Sequence, residues 1–272
     1  MPAYETIMVH LPLFAVVLAR LVGLFLFAPV LSSALLPGRY RALLVFMLAL
    51  GVYPTLNLSP VVALELSLVS LAPILAAEVL IGVVIGIFAL MPLVAVQIAG
   101  VATGQQMGLG LGQVVNPAAD IEADQLGQIL FMAALAMFIY LGGLDLMFGT
   151  VIETFKHVPP GGWGLDRTPL DLLTGLLSSA FVMAVRIALP VLVMLLLESL
   201  SLGFLMKTVP SINIMTVGFP IRLLLGLFVL LASLGFAFQI VEEDLHHSAD
   251  VITRWTGSIS PASTPDQTGG GR

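Results

Sequence analysis

The feature that most constrains this chain is a long run, Val79 to Ala119, that contains no charged side chain. As a single helix rising 1.5 Å per residue it would be about 60 Å long. That length is about twice the hydrocarbon thickness of a bilayer, roughly 30 Å. The run must therefore turn back, re-enter the membrane or extend beyond the lipid.

Glycines recur every four residues in the second half of this run, at Gly100, Gly104, Gly108 and Gly112. On a helix this spacing makes a bare ridge that lets another helix approach closely. Gly110 interrupts the pattern, because Gly-Leu-Gly-Leu-Gly is a poor helix former. Asn116-Pro117 then favours a turn. The sequence predicts a helix up to about Met107 and an irregular apolar loop over residues 108–119.

Irregular backbone at membrane depth is tolerated only where protein buries it or a cavity lies beside it. The loop is therefore either a tight connection between packed helices or a functional segment that lines or blocks a pore. A phosphate-binding loop is excluded, because no Gly-Lys-Ser/Thr follows and Gln113 breaks the dinucleotide pattern. The candidate pore-plug residues are Met107, Gly108, Gly110, Gly112, Asn116 and Pro117.

The composition of the whole chain indicates whether it is surrounded by water or by lipid. Hydrophobic residues make up 59% of it, charged residues only 10%, and the mean hydropathy is +1.10. A soluble domain carries roughly 25% charged residues. We therefore predict an all-α, multi-helix integral membrane protein with broken helices. Its hydrophobic segments, about six, are Leu11–Leu31, Ala42–Leu64, the run that follows Glu65, Gln125–Leu144, Leu172–Leu197 and Leu223–Val241.

The two ends of the chain differ in character. No Lys or Arg precedes Arg20, so the N-terminus lacks the basic region of a secretory signal and is expected to be retained. Residues 1–245 are predicted as one membrane domain. Residues 246–272 are rich in Ser, Thr, Pro and Gly towards their end and are predicted as a disordered tail.

Four charged residues lie within or directly beside apolar segments and are candidate intramembrane charges: Arg20, Glu78, Arg186 and Glu198. Such charges are costly in lipid, so each should face protein or water and find a partner. Arg20 with Glu78, or Arg186 with Glu198, would form structural ion pairs. A proton or ion relay through the two glutamates is the alternative. Gly82 and Gly86, together with Gly100 and Gly104, are predicted as helix-packing glycines.

Signals for catalysis, metals or nucleic acid are weak. His246-His247 stands beside an acidic run, but adjacent histidines point to different faces of a helix. The H-E-x-x-H motif is absent, and no nucleophile is arranged with a base. The chain has no cysteine and no basic cluster. We therefore expect no catalytic site, no metal, no cofactor and no nucleic-acid partner.

Several motifs in order along the chain suggest a family. They are Arg20 and Pro29 with PGRYR, Glu78 followed by IGVVIG, GVATGQQMGLGLGQVVNP, FKHVPPG, and LGFLMKTVPSINIMTVGFPIRLLLGL. This order resembles the FliR family of flagellar type III export-gate proteins, whose injectisome counterpart is the T subunit of the virulence export gate.

The resemblance implies a specific setting in the bacterial inner membrane, at the flagellar basal body. There the chain would form the entrance of a secretion channel with FliP-like and FliQ-like subunits, next to FlhB-like and FlhA-like subunits. The loop after the third segment would plug that channel, through which exported unfolded proteins pass. The resemblance also suggests residues that contact sister subunits, namely Lys207, Pro210, Asn213, Pro220 and Arg222.

A different function class is a stand-alone secondary transporter or channel with broken helices and charged residues at the midplane. Transporters of that kind usually contain two related halves. Residues 1–140 and 141–245 show no convincing repeat. Co-purification with sister subunits would separate this alternative from an export-gate subunit.

Overall fold

The computed structural model describes residues 3–32, 37–56, 68–110, 125–158, 169–208 and 214–259. Within those ranges the chain is helical and contains no strand. A short 3₁₀ turn lies at Tyr53–Thr55, and the helices are α1 (Ala3–Phe27), α2 (Gly38–Val52), α3 (Leu68–Met107), α4 (Gln125–Tyr140), α5 (Gly143–His157), α6 (Pro169–Thr208) and α7 (Ile214–Ile259). The predicted all-α, multi-helix architecture is confirmed.

Four of the described helices are long and apolar enough to cross a membrane, and α4 with α5 would make a fifth if they form one bent span. The four spans are His10–Phe27, Leu71–Met107, Thr174–Thr208 and Thr216–Leu245. The second predicted segment is shorter than its apolar run, because α2 has only 15 residues and gives way to the 3₁₀ turn that contains Pro54.

The last two helices are longer than the hydrophobic segments that predicted them. Helix α6 has 40 residues and α7 has 46. Helix α7 continues as far as Ile259, through residues that the sequence assigned to a disordered tail. Residues 246–256 contain no Gly or Pro, so nothing there interrupts a helix that has already begun. Residues 260–272 lie outside the described part of the chain.

The chain divides into two compact units. The first comprises Met1–Gly86, Asp145–Thr168 and Ala249–Arg272, and the second comprises Ile87–Leu144 and Pro169–Ser248. The predicted single membrane domain, residues 1–245, is therefore built from parts of both units, and α3 contributes to each.

In the first unit, α1 and α3 touch through their backbones. A Cβ atom added to Gly82 would overlap the carbonyl oxygen of Arg20, and one added to Gly86 would lie 2.8 Å from the carbonyl oxygen of Leu24. Gly23 faces the carbonyl oxygen of Val79 in the same way. The structure thus places Gly82 and Gly86 at a helix contact, and it adds Gly23, which has no second glycine at helical spacing within α1 to mark it.

Helix α1 meets the 3₁₀ turn that follows α2 at an aromatic contact. His10 Nδ1 and the Tyr53 hydroxyl oxygen share a hydrogen bond of 2.6 Å, and the rings of Phe14 and Tyr53 pack edge to face at 5.8 Å. Partial burial raises the pKa of the Tyr53 hydroxyl above its ordinary value. The 3₁₀ turn is therefore attached to α1.

The second unit has a continuous apolar core contributed by the later half of α3 and by α4, α6 and α7. Gly100 of α3 faces Gly127 of α4, where an added Cβ would lie 2.7 Å from the Gly127 Cα. A Cβ on Gly104 would lie 3.4 Å from the Cβ of Leu126. The glycine ridge predicted for α3 therefore faces α4 over these two positions.

The α1–α3 backbone contact yields a stability prediction. Gly82→Ala forces the two helices apart and should lower the free energy of unfolding by about 1–3 kcal/mol. Gly175→Ala is the matched control, because a Cβ there meets nothing within 4 Å. It should be neutral or slightly stabilising, since Ala favours a helix more than Gly by about 1 kcal/mol. Thermal unfolding of the purified protein in detergent measures both, and equal midpoints would contradict the close contact.

Candidate functional site

The glycine-rich stretch begins with a helix cap that is held by two backbone hydrogen bonds. Gly108 has φ 86°, the left-handed conformation that favours glycine. Its N–H donates to the carbonyl oxygen of Gln105 at 3.0 Å, and the N–H of Leu109 donates to that of Gly104 at 3.1 Å. This pair of bonds is the Schellman motif, which ends helices at a glycine. Helix α3 therefore ends at Met107, where the sequence predicts its end.

Met107 itself is buried in the core of the second unit, with 1% of its surface exposed. Its side chain fills the space that Gly226 of α7 leaves open, because a Cβ added to Gly226 would lie 2.7 Å from the Met107 Cγ and Cε atoms. The flexible thioether side chain suits such an irregular gap. Met107, a candidate plug residue, is thus held inside the protein and acts as an anchor.

We call residues 104–110 the loop root. Leu109 packs over the bare backbone of Gly104, since a Cβ there would lie 3.5 Å from the Leu109 Cδ1 atom. Gly110 is a partly buried turn residue. The other predicted plug residues, Gly112, Asn116 and Pro117, lie outside the described residues. Gly108 is therefore glycine because the cap requires its positive φ, whereas the sequence analysis counted it as part of a helical glycine ridge.

Arg20 is the second candidate feature and is completely buried in the first unit. Its Nε donates to Glu78 Oε2 at 2.6 Å and its Nη1 donates to Thr154 Oγ1 at 3.1 Å. Its Nη2 donates to the carbonyl oxygen of Val158 at 3.2 Å, and the guanidinium lies 3.8 Å from the centre of the Phe155 ring. One side chain on α1 thereby binds α3 and the end of α5.

The Arg20–Glu78 contact has the form of a structural ion pair. Removing a guanidinium and a carboxylate from water is costly, and the cost is offset only when geometry is good and the remaining donors are satisfied. Sequence reasoning found the pair but missed Thr154, Phe155 and Val158. The need for further acceptors was predictable, because a buried arginine has five N–H donors and one carboxylate cannot satisfy them all.

The second ion pair differs from the one suggested by the sequence. Glu198 Oε2 accepts a hydrogen bond from Arg222 Nε at 3.1 Å, and Arg222 also bonds the Ser199 hydroxyl. Arg186 is exposed on α6. Arg186 and Glu198 lie on the same helix about 18 Å apart, beyond the reach of their side chains. The suggested Arg186–Glu198 pair is therefore wrong, and Glu198 joins α6 to α7.

This second pair is less complete than the first. Glu198 Oε1 is buried and accepts no hydrogen bond from the residues that the structure describes. The Arg222 side chain, a candidate inter-subunit contact, is 34% exposed. Of the other candidate contacts, Lys207 and Pro220 are exposed on α6 and α7, whereas Pro210 and Asn213 lie outside the described residues.

No metal centre is built from the part of the chain that the structure covers. Among the described residues, no three or more His, Cys, Asp or Glu side chains come together in a way that could hold an ion. The side chains of His246 and His247 are not among those described. The described geometry is that of a membrane protein with an anchored loop root and two ion pairs between helices.

Comparison with known proteins identifies a family that the chain matches. Residues 11–248 match the family described as "Bacterial export proteins, family 1". The flagellar biosynthetic protein FliR of Escherichia coli K12 is 30% identical over 240 residues, which cover 87% of this chain and 91% of that protein. FliR of Bacillus subtilis is 25% identical over 236 residues, covering 85% and 89%. The Yop proteins translocation protein T of Yersinia pestis is 24% identical over 212 residues, covering 77% and 80%.

The buried ion pair yields a prediction with an internal control. Glu78→Gln leaves the Arg20 charge buried without its counter-ion and should destabilise the protein by about 3–5 kcal/mol. Glu153→Gln makes the same chemical change in an exposed pair with Lys156, whose atoms are 2.8 Å apart. Exposed pairs contribute about 0–1 kcal/mol. Thermal unfolding in detergent compares the two, and similar losses would show that Glu78 does not neutralise Arg20.

Proposed function

The chain belongs to the bacterial export proteins, family 1, the family of FliR, and on that premise we propose that it helps to form the entrance of a protein-export channel and closes it at rest. Family membership makes it a membrane-embedded component of a flagellar or type III export apparatus. The proposal adds its position at the channel entrance with FliP-like and FliQ-like subunits, and a plug formed by the segment that follows the loop root.

The loop root is the observation that carries this proposal. Helix α3 contains an apolar span of 37 residues, Leu71–Met107, and the cap that ends the helix stands at the end of that span. The residues that follow carry no charge before Asp120. Uncharged, glycine-rich backbone at this place must be enclosed by protein or border a cavity. A channel enclosed by several subunits would supply that cavity.

The chemistry of the segment suits a stopper for a polypeptide channel. A constriction lined by apolar groups resists ions because water does not wet it. Unfolded chains of any sequence must still pass, and uncharged side chains offer them no strong specific bonds. Glycine tolerates many backbone conformations, so the segment can move aside without strain. Met107 and the cap would keep its start in place while the remainder is displaced.

Exposed apolar surface supports a role within an assembly. Only 39% of the Thr174–Thr208 span and 22% of the Thr216–Leu245 span is buried within the chain. We propose that sister subunits cover part of this surface, with FlhB-like and FlhA-like subunits nearby, in the bacterial inner membrane at the flagellar basal body. Exported unfolded proteins are the passing substrates. The family match favours this reading over a stand-alone transporter or channel.

Deleting residues 111–117 tests the plug. The deletion leaves the loop root intact, so the protein should still assemble, while the resting channel should conduct ions measurably above the wild-type level. Conductance of the reconstituted gate complex and of cells that express it gives the measurement. A Gly226→Leu variant should also raise the ion conductance of the resting channel. The new side chain would push Met107 out of its place and so displace the loop root.

An equal deletion of residues 262–268 controls for chain shortening and should leave conductance at the wild-type level. Unchanged ion leakage together with unchanged secretion in the 111–117 deletion would contradict the plug. It would leave the place of the protein in the gate untouched, because that place rests on the family match.

Co-expression tests the position in the gate. The chain expressed with FliP-like and FliQ-like subunits should purify as one complex, and omission of this chain should abolish that complex. Size-exclusion chromatography with mass determination is the measurement. A stable monomer that binds and transports a small solute by itself would instead identify a transporter.

A further inference from the structure

Helix α5 of the first unit presents a polar face on its open side. Asp145, Gly149 and Lys156 are exposed, and 41% of the Glu153 side chain is exposed. These residues follow one another at helical spacings of three or four positions, so they form one stripe along the helix. By contrast, every exposed residue of α2 from Leu43 to Leu50 is apolar. The open face of α5 therefore differs in chemistry from that of its neighbour in the chain's first unit.

The opposite face of α5 is packed inside the first unit. Met147, Val151 and Thr154 are buried, and the Thr154 hydroxyl accepts a hydrogen bond from Arg20 Nη1 at 3.1 Å. The packed face is thus largely apolar and the open face polar. A helix with this pattern ordinarily lies between a protein core and water. A helix between a protein core and lipid would be apolar on its open side as well.

The charges of the open face are placed as in a helix that is stable in water. Asp145 lies in the first turn of α5, where the helix dipole favours a carboxylate, and Lys156 lies in the last turn, where it favours a cation. Glu153 stands three residues before Lys156, and their charged atoms are 2.8 Å apart. The Lys156 side chain is 63% exposed. Charges so exposed are costly in hydrocarbon, whereas water solvates them.

We propose that the open face of α5 borders water, and not lipid, when the protein is in the membrane. Helix α5 is then the wall of an aqueous space and not the second half of a bent span with α4. The water belongs either to the bulk phase on one side of the membrane or to the conduit that the assembled complex encloses. Both sources present the same chemistry to the helix, and the experiment below separates them. The inference does not depend on the plug.

Thiol labelling tests the proposal, because the chain contains no cysteine and one introduced thiol is its only reporter. Gly149→Cys is made in the full chain, within the export-gate complex in sealed membrane vesicles. A Cβ atom at Gly149 meets nothing within 4 Å, so the substitution should leave the fold unchanged. Gly235→Cys is the matched control. Gly235 is also exposed and also has open space around it, but it lies in the apolar span Thr216–Leu245.

A charged maleimide that does not cross membranes should label the Gly149→Cys chain at least about tenfold faster than the Gly235→Cys chain. The reagent reacts with the thiolate, which forms in water and is disfavoured in hydrocarbon. Mass spectrometry of the chain measures the labelled fraction over time, and both variants should label equally after denaturation in detergent. Labelling of Gly149→Cys no faster than the control would overturn the proposal, because lipid or a sister subunit would then cover α5.

An arrested export substrate then identifies the source of the water. A polypeptide held in the conduit should slow the labelling of Gly149→Cys when the water is that of the conduit, and should leave it unchanged when the water is the bulk phase. Either result supports contact with water. Secretion at the wild-type level shows that the Gly149→Cys complex is intact. Should that variant fail to assemble, Lys156→Cys replaces it, since that exposed side chain is on the same stripe.

Discussion

The burial of one guanidinium group governs the first unit. Arg20 is removed from water on a membrane-spanning helix, and in that setting every unsatisfied donor is costly. Its charge is neutralised from α3 and its remaining donors are bound by the end of α5, so three helices are held at one point. Backbone contact at Gly82 is part of the same arrangement, because it brings α1 and α3 close enough for Glu78 to reach Arg20.

The second unit uses a different means to hold two helices in place. Its ion pair joins α6 to α7 at Glu198 and Arg222, and a hydroxyl–carboxylate contact joins them at Ser179 and Asp244. The ion pair is less completely satisfied than the Arg20 network, because Glu198 Oε1 accepts no hydrogen bond from the described residues. Both helices nevertheless leave most of their apolar length exposed, since only 39% of the Thr174–Thr208 span and 22% of the Thr216–Leu245 span is buried within the chain.

Local chemistry was readable from the sequence, and long-range geometry was not. The end of α3 followed from Gly108 and the repeated glycines, and the Arg20–Glu78 pair followed from the cost of charge in lipid. The partner of Glu198 could not be predicted from the sequence, because it depends on which positions of α6 and α7 face each other. Arg186, on the same helix as Glu198, looked equally available as a partner. The continuation of α7 to Ile259 was not predicted, because the Ser, Thr, Pro and Gly content near the end of the chain was extended back to residue 246, where no Gly or Pro interrupts the helix.

The contact between Met107 and Gly226 has a mechanical consequence. The positions on either side of Gly226 are Leu225 and Leu227, so only one residue of that stretch of α7 leaves room for the methionine. A slide of α7 by a single residue is about 1.5 Å of travel with about 100° of rotation, and it would present a leucine where the gap had been. The place from which the glycine-rich segment emerges is therefore tied to the axial alignment of a helix more than one hundred residues later in the chain.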